Sequence, residues 1–145
     1  MSLPTGAIQT GFITRYRADT PLQGLLTGAT APEWSIYDQN GVPTNRAFPY
    51  VVLFPITSQS GTVLSFGTDA VDTFVQISVF TQAGGFAQAR AIMKRIYDIT
   101  HEKALDLSAS SFNQFFLLFD NEQESPESDG ITQQIAHRYQ LMTQG

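Results

Sequence analysis

Between Asp69 and Lys103 the hydrophobic period of the chain changes once. In the first part Val71, Thr73, Val75, Ile77 and Val79 alternate with Asp72, Phe74, Gln76, Ser78 and Phe80. A period of two over this length predicts a strand with one buried face. In the second part Ala89, Ile92, Met93, Ile96 and Ile99 recur at helical spacing and form one apolar stripe. Ala83-Gly84-Gly85 stands between them and lets the chain turn without steric cost. The helix is therefore expected to fold back on the apolar face of the strand, and the rest of the chain to pair with that strand or flank that helix.

The same reading extends to both sides of this unit. Ile8, Phe12, Ile13 and Tyr16 predict an N-terminal helix, with Ser2 or Thr5 as cap, Pro4 in the first turn and Gly11 as a weak point. Asp19-Thr20-Pro21 interrupts it, and Leu22, Leu25 and Leu26 predict a short turn of helix before Gly28. Trp34 to Asp38 is a short strand candidate, followed by Asn40-Gly41 and Val42-Pro43 as turn chemistry. Phe48 to Thr57 is dense in strand formers, and Pro55 within it implies an edge position or a bulge. Ser58 to Asp69 reads as a projecting loop, Ala104 to Leu107 as a return to the sheet, and Phe112 to Asp120 as an apolar strand. Asn121 to Gly130, with Glu122, Glu124, Glu127 and Asp129, reads as a solvated acidic loop. The alternation from Ile131 to Met142 predicts a terminal strand antiparallel to the previous one, with Ile131, Ile135, Tyr139 and Leu141 on one face. The sum is one domain over 1–145, an α+β fold with helices on one face of a mostly antiparallel sheet.

Composition narrows the function more than it names it. With 145 residues, 42% of them hydrophobic, the chain can bury one real core. A net charge of −5 without a basic run argues against nucleic-acid binding and against anionic membranes. No apolar run is long enough to span a bilayer, and the start lacks the pattern of a signal peptide, so synthesis in a cytoplasm is expected. Cysteine is absent, which removes disulfides and thiolate chemistry. His101 and His137 lie on different elements, and Asp98 beside His101 does not complete a metal site. Ala83-Gly84-Gly85 has no phosphate-binding lysine or glycine pattern around it. No catalytic residue, cofactor or metal is expected from these residues. What remains is surface. Phe74, Gln76 and Phe80 on the outward face of the central strand, with Val63, Leu64 and Phe66 in the loop, are candidate interface residues. An N-terminal helix covering that outward face is the competing reading.

The order of motifs resembles a known family. An N-terminal helix is followed by Trp34-Ser-Ile-Tyr-Asp38 and Phe48-Pro-Tyr-Val-Val-Leu53. After a long loop come Phe74-Val-Gln-Ile-Ser-Val-Phe80 and Thr81-Gln-Ala-Gly-Gly-Phe-Ala-Gln-Ala89, then an amphipathic helix and an alternating terminal strand. This arrangement looks like the tail completion (tail terminator, head–tail joining) proteins of long-tailed bacteriophages and prophages. The stretches Asn40–Ala47, Ser58–Asp69 and Asn121–Gly130 are long for the pattern. The resemblance implies a structural virion protein without enzymatic activity. It implies a ring, typically of six copies, at the head-proximal end of the tail tube, with the tube protein and the head connector or stopper as partners. A ring needs two different patches that meet on neighbouring copies, and the acidic residues 122–129 would face the lumen or a partner. The alternatives are a head-side neck adaptor, a tube-like protein, or a small cytoplasmic ligand-binding domain.

Overall fold

The period-two stretch forms the central strand of a five-stranded sheet in the computed structural model, which describes residues 5–26, 31–44, 46–60, 70–82, 86–108 and 112–144. The elements are α1 (Thr5–Arg17), α2 (Thr20–Leu25), β1 (Ile36–Asp38), β2 (Tyr50–Ser60), β3 (Ala70–Thr81), α3 (Phe86–Thr100), β4 (Asn113–Pro126) and β5 (Gln133–Gln144). The strand order is β1-β2-β3-β5-β4. β1 is parallel to β2, and every other pairing is antiparallel. β3 pairs with β5 along its whole length, from Ala70 opposite Gln144 to Thr81 opposite Gln133.

One face of β3 is closed. Val71, Thr73, Val75, Ile77 and Val79 are all buried, together with Val51 and Leu53 of β2, Ile135, Tyr139 and Leu141 of β5, and Leu117 of β4. Burying each large aliphatic side chain contributes about 1.5–3 kcal/mol, so this face cannot be left to water. α3 lays Ala89, Ile92, Met93 and Ile96 on it, and α1 adds Ile8, Phe12 and Tyr16 over β1 and β2. Both long helices therefore lie on the same side of the sheet, as the sequence predicts.

Polar groups fix how the helices sit. Asp19 caps α2 by accepting the Leu22 N–H at 2.9 Å, and its two carboxylate oxygens accept from Arg95 of α3 at 2.7 and 2.9 Å. The Arg17 guanidinium donates twice to the Ile36 carbonyl of β1. Tyr16 and Thr100 meet through their hydroxyls at 2.7 Å in the core. Arg15 donates to the carbonyl of Ile99, in the last turn of α3, and to that of Ala104 in the segment after it. Gly11, a weak helix former, is explained by packing: a Cβ there would lie 3.1 Å from the Asp106 carbonyl oxygen.

Five local expectations are corrected. The first strand starts at Ile36, because Trp34 and Ser35 take left-handed backbone conformations, with φ of 56° and 59°. Residues 104–107 do not rejoin the sheet. Leu105 and Leu107 are buried as plugs, and the Gln114 side chain takes the Leu105 N–H and donates to the Lys103 carbonyl. The acidic stretch is not one loop. β4 runs on to Pro126, so Glu122 and Glu124 are strand residues and only the turn after them is irregular. Ile131 is in that turn rather than on the buried strand face, and it is 59% exposed. β2 also outlasts its predicted end and pairs as far as Ser60 opposite Val71. Ser2, the turn at Ala83-Gly84-Gly85, and Val63, Leu64 and Phe66 lie outside the described residues.

The stretch of β2 beyond β1 and the outer strand β4 differ in how their free edges are closed. The Val51 N–H donates to the Ser35 carbonyl, so alternate residues of β2 aim their nitrogens toward β1. Pro55 falls on that side, beyond the last β1 pair at Leu53, where no described strand needs its missing N–H. The register then shifts between Pro55 and Thr57, so both the edge and the bulge implied by Pro55 are present. On the other side the Leu117 carbonyl accepts the Glu102 N–H at 2.8 Å, and the Phe119 N–H donates to His101 Nδ1 at 3.0 Å. The turn after α3 thereby covers the middle of the β4 edge.

Two predictions follow from this packing. Ile77→Asp places an unpaired charge at a site with no solvent access, costing several kcal/mol. The variant should lose its cooperative melting transition, and a soluble, cooperatively melting Ile77→Asp would disprove the assignment of this face. Asp19 has its carboxyl held below the usual range, chiefly by the hydrogen bond from Arg95. Its stabilising contribution is complete above the unfolded carboxyl value of about 4 and is lost as pH falls through the lower folded value. Urea midpoints should show Asp19→Asn keeping the cap but losing that acid-dependent component. Asp19→Ala should be weaker by about a further 1 kcal/mol.

Candidate functional site

Among the described residues no helix covers the other face of the sheet. Its side chains are Tyr50, Val52 and Phe54 from β2, Phe74, Gln76, Ser78 and Phe80 from β3, Gln134, Ala136, Arg138 and Gln140 from β5, and Phe116 and Leu118 from β4. The predicted interface residues Phe74, Gln76 and Phe80 thus lie along one strand on this face, half-buried by their own neighbours. Arg138 sits over the Phe74 ring at 4.4 Å, and its Nε is 3.5 Å from an Asp120 carboxylate oxygen. Gln76 and Gln134 both donate to the Ser78 hydroxyl at 2.9 Å. The face is an ordered lattice of aromatic and amide groups with little net charge.

At one end this face carries an aromatic stack that the sequence reading did not single out. Tyr50 stacks on Phe80 with ring centres 5.0 Å apart, and Phe48 meets Tyr50 edge-on at 5.0 Å. Arg46 lies over both Phe48 and Tyr50 and donates to the Tyr50 hydroxyl at 3.2 Å. Across from them stands the β4–β5 turn. Asp129 accepts the Ile131 and Thr132 N–H groups at 2.8 Å and the Thr132 hydroxyl at 2.6 Å. Between the two walls is an open groove of about 450 Å³, also lined by Glu127 and Ser128. The signal for it was the run Arg46-Ala-Phe-Pro-Tyr50, whose aromatic residues serve only partly as strand core.

The candidate acidic residues are mostly tied within the chain. Glu124 accepts two hydrogen bonds from Arg90 of α3, at 2.7 and 2.8 Å. That pairing holds the Glu124 carboxyl below its ordinary range. Asp129 is lowered too, first by the Thr132 hydroxyl it accepts. Glu122 lies 2.8 Å from His137 Nε2, on the helix-covered face of the sheet. A carboxylate can only accept, so Nε2 carries the proton. Nδ1 then accepts from the Tyr139 hydroxyl at 3.1 Å. Glu127 is the member of the set that lines the groove without a side-chain bond of its own among those described.

Neither histidine is set up for chemistry. His101 Nδ1 is occupied by the Phe119 N–H, and its ring stacks on Tyr97 at 4.9 Å. His137 is held between Glu122 and Tyr139. No group of three metal-binding side chains occurs among the described residues, and none of their helices is long and apolar enough to cross a membrane.

Strands with one helix-covered face and one patterned bare face define a two-layer α+β module. Comparison with known proteins agrees with that class. The family model described as "Tail completion protein gp17" matches residues 12–144, and the chain belongs to this family of structural proteins of bacteriophage tails. Among curated protein sequences none matches the chain. A chain from the virion of a native gene transfer agent particle shares the fold with a TM-score of 0.81 and 23% identity, over 100% of both chains. A second solved chain, whose description names no function, aligns at a TM-score of 0.58 and 16% identity, over 97% of this chain and 96% of that one. The chain is accordingly a virion protein of the tail.

The buried histidine gives a test by pH. Burial lowers the His137 pKa, and the Glu122 contact opposes that only in part. The unfolded chain takes up its proton near pH 6.5, before the folded chain does. Stability should therefore fall as pH drops from about 6.5 toward the folded value. The urea midpoint should fall between pH 7 and pH 5, and His137→Gln should show a smaller fall over the same range. Equal slopes would remove the titration of His137 from the account.

Proposed function

We propose that the chain is a non-enzymatic tail terminator. In this reading its copies close into a ring at the head-proximal end of the tail tube, stop tube growth, and present a surface to the head connector or stopper. Six copies is the number the family resemblance implies. The partners are further copies of the chain, the tube protein and the connector. The observation that carries the reading is the bare, aromatic sheet face on a member of the tail completion family. A rigid sheet with that face can meet a neighbour over a broad area without rearranging. The histidines and most of the acids have internal structural partners, which supports a structural role rather than a catalytic one. Acids on β4 and its turn also suit an end of the ring past which DNA moves, because like charges repel.

Electron microscopy of particles made without this gene is the direct test. Full heads beside unattached tails, with irregular or overlong tubes, are the expected result. Normal infectious particles would rule out the terminator role. Heads that lose DNA beside tails of normal length would place the protein on the head side of the joint instead.

A further inference from the structure

The turn after α3 covers the β4 edge at Leu117 and Phe119 and leaves the stretch beyond them open. β4 is the last strand of the sheet and pairs only with β5. Every residue from Asp120 to Glu124 is exposed. We propose that the β4 edge from Asp120 to Pro126 takes an extended segment of another protein as an added strand, with a basic side chain of that segment set beside Glu122. The proposal rests on the tail-joining reading for the source of the segment, a different virion protein at the joint.

Backbone alternation identifies the free groups. The Phe119 N–H points away from β5, since it donates to His101. Phe119 lies opposite Tyr139, and Glu122 and Glu124 lie opposite His137 and Ile135. Those β5 residues alternate regularly, because the register shift between Phe119 and Asn121 is taken up within β4. Glu122 and Glu124 therefore turn their N–H and C=O groups outward, as Phe119 does. No described group bonds those backbone atoms from that side. Pro126, without an N–H, ends the open stretch. The stretch is about 20 Å long, room for a strand of about six residues. Unpaired donors and acceptors along an exposed edge are what strand addition recognises.

Charge selects the occupant. Glu124 is held by Arg90, and Asp120 lies 3.5 Å from Arg138 Nε. Glu122 meets His137 instead and has no lysine or arginine within ion-pair distance among the described residues. A second copy does not supply one. Two β4 edges paired antiparallel would set Asp120, Glu122 and Glu124 against the same acids, and like charges across a ladder destabilise it. Among the described strands Arg138 is the only lysine or arginine, and it already covers Phe74. The stretch of β2 beyond β1 lacks the Pro55 N–H and carries a bulge. The occupant is therefore a different protein. Its segment carries lysine or arginine on the helix side, beside Glu122, and polar residues on the other side, beside Asn121, Gln123 and Ser125.

Amide hydrogen exchange, resolved to single residues by fragmentation mass spectrometry, tests the edge. In the isolated full-length chain the Glu122 and Glu124 amides should exchange freely, while those of Gln123 and Ser125, which face β5, are protected. In joined particles all four should be protected. Free exchange of Glu122 and Glu124 in joined particles would overturn the proposal and leave the terminator role standing. Protection already present in multimers of the isolated chain would also overturn it, by making a second copy the occupant. Glu122→Gln tests the charge, because the amide oxygen still accepts from His137 Nε2. Its melting temperature at pH 7 should match that of the unchanged chain. The yield of joined particles should fall about threefold, as expected for loss of one cross-strand charge pair. An undiminished yield would overturn the choice of a basic segment.

Discussion

The structure depends on β3 being paired on both sides while its two faces carry unlike side chains. A strand paired on both sides can neither rotate nor slip, since a slip of one residue would turn Val75, Ile77 and Val79 out to water. The closed face needs cover, and α1 and α3 both serve that need from the same side. Nothing among the described elements remains to cover the other face. The bare face is thus the counterpart of how the core is closed.

The period-two and helical patterns carried most of this fold in plain sight. β3, β5, α3 and the one-sided placement of the helices are all legible from spacing, because each buries a long apolar stripe. The segments that were misread are those in which a special group overrides pattern. Left-handed Trp34 and Ser35 delay β1. Gln114 occupies the backbone groups that would have let residues 104–107 pair. Glu122 and Glu124 read as loop residues because their partners, His137 and Arg90, are distant in sequence. The groove escaped for a related reason: Phe48, Tyr50 and Phe80 look like core residues until their ring contacts are seen.

Most of the cations are also committed to internal work. Arg15 and Arg17 bind backbone carbonyls, Arg46 lies on two aromatic rings, Arg90 and Arg95 hold carboxylates, and Arg138 covers Phe74. The Lys94–Asp98 pair, at 3.4 Å and well exposed, adds little. The charge left free on the surface is therefore mostly acidic, in keeping with the net charge of −5.

The closure of the two sheet edges has a consequence for the life of the free subunit. An open strand edge is a template on which identical chains add without limit. Here Pro55 and its bulge interrupt one edge, and Glu102 and His101 occupy the middle of the other. Along these stretches the addition of a second copy edge to edge is disfavoured, so the free chain offers less of that template.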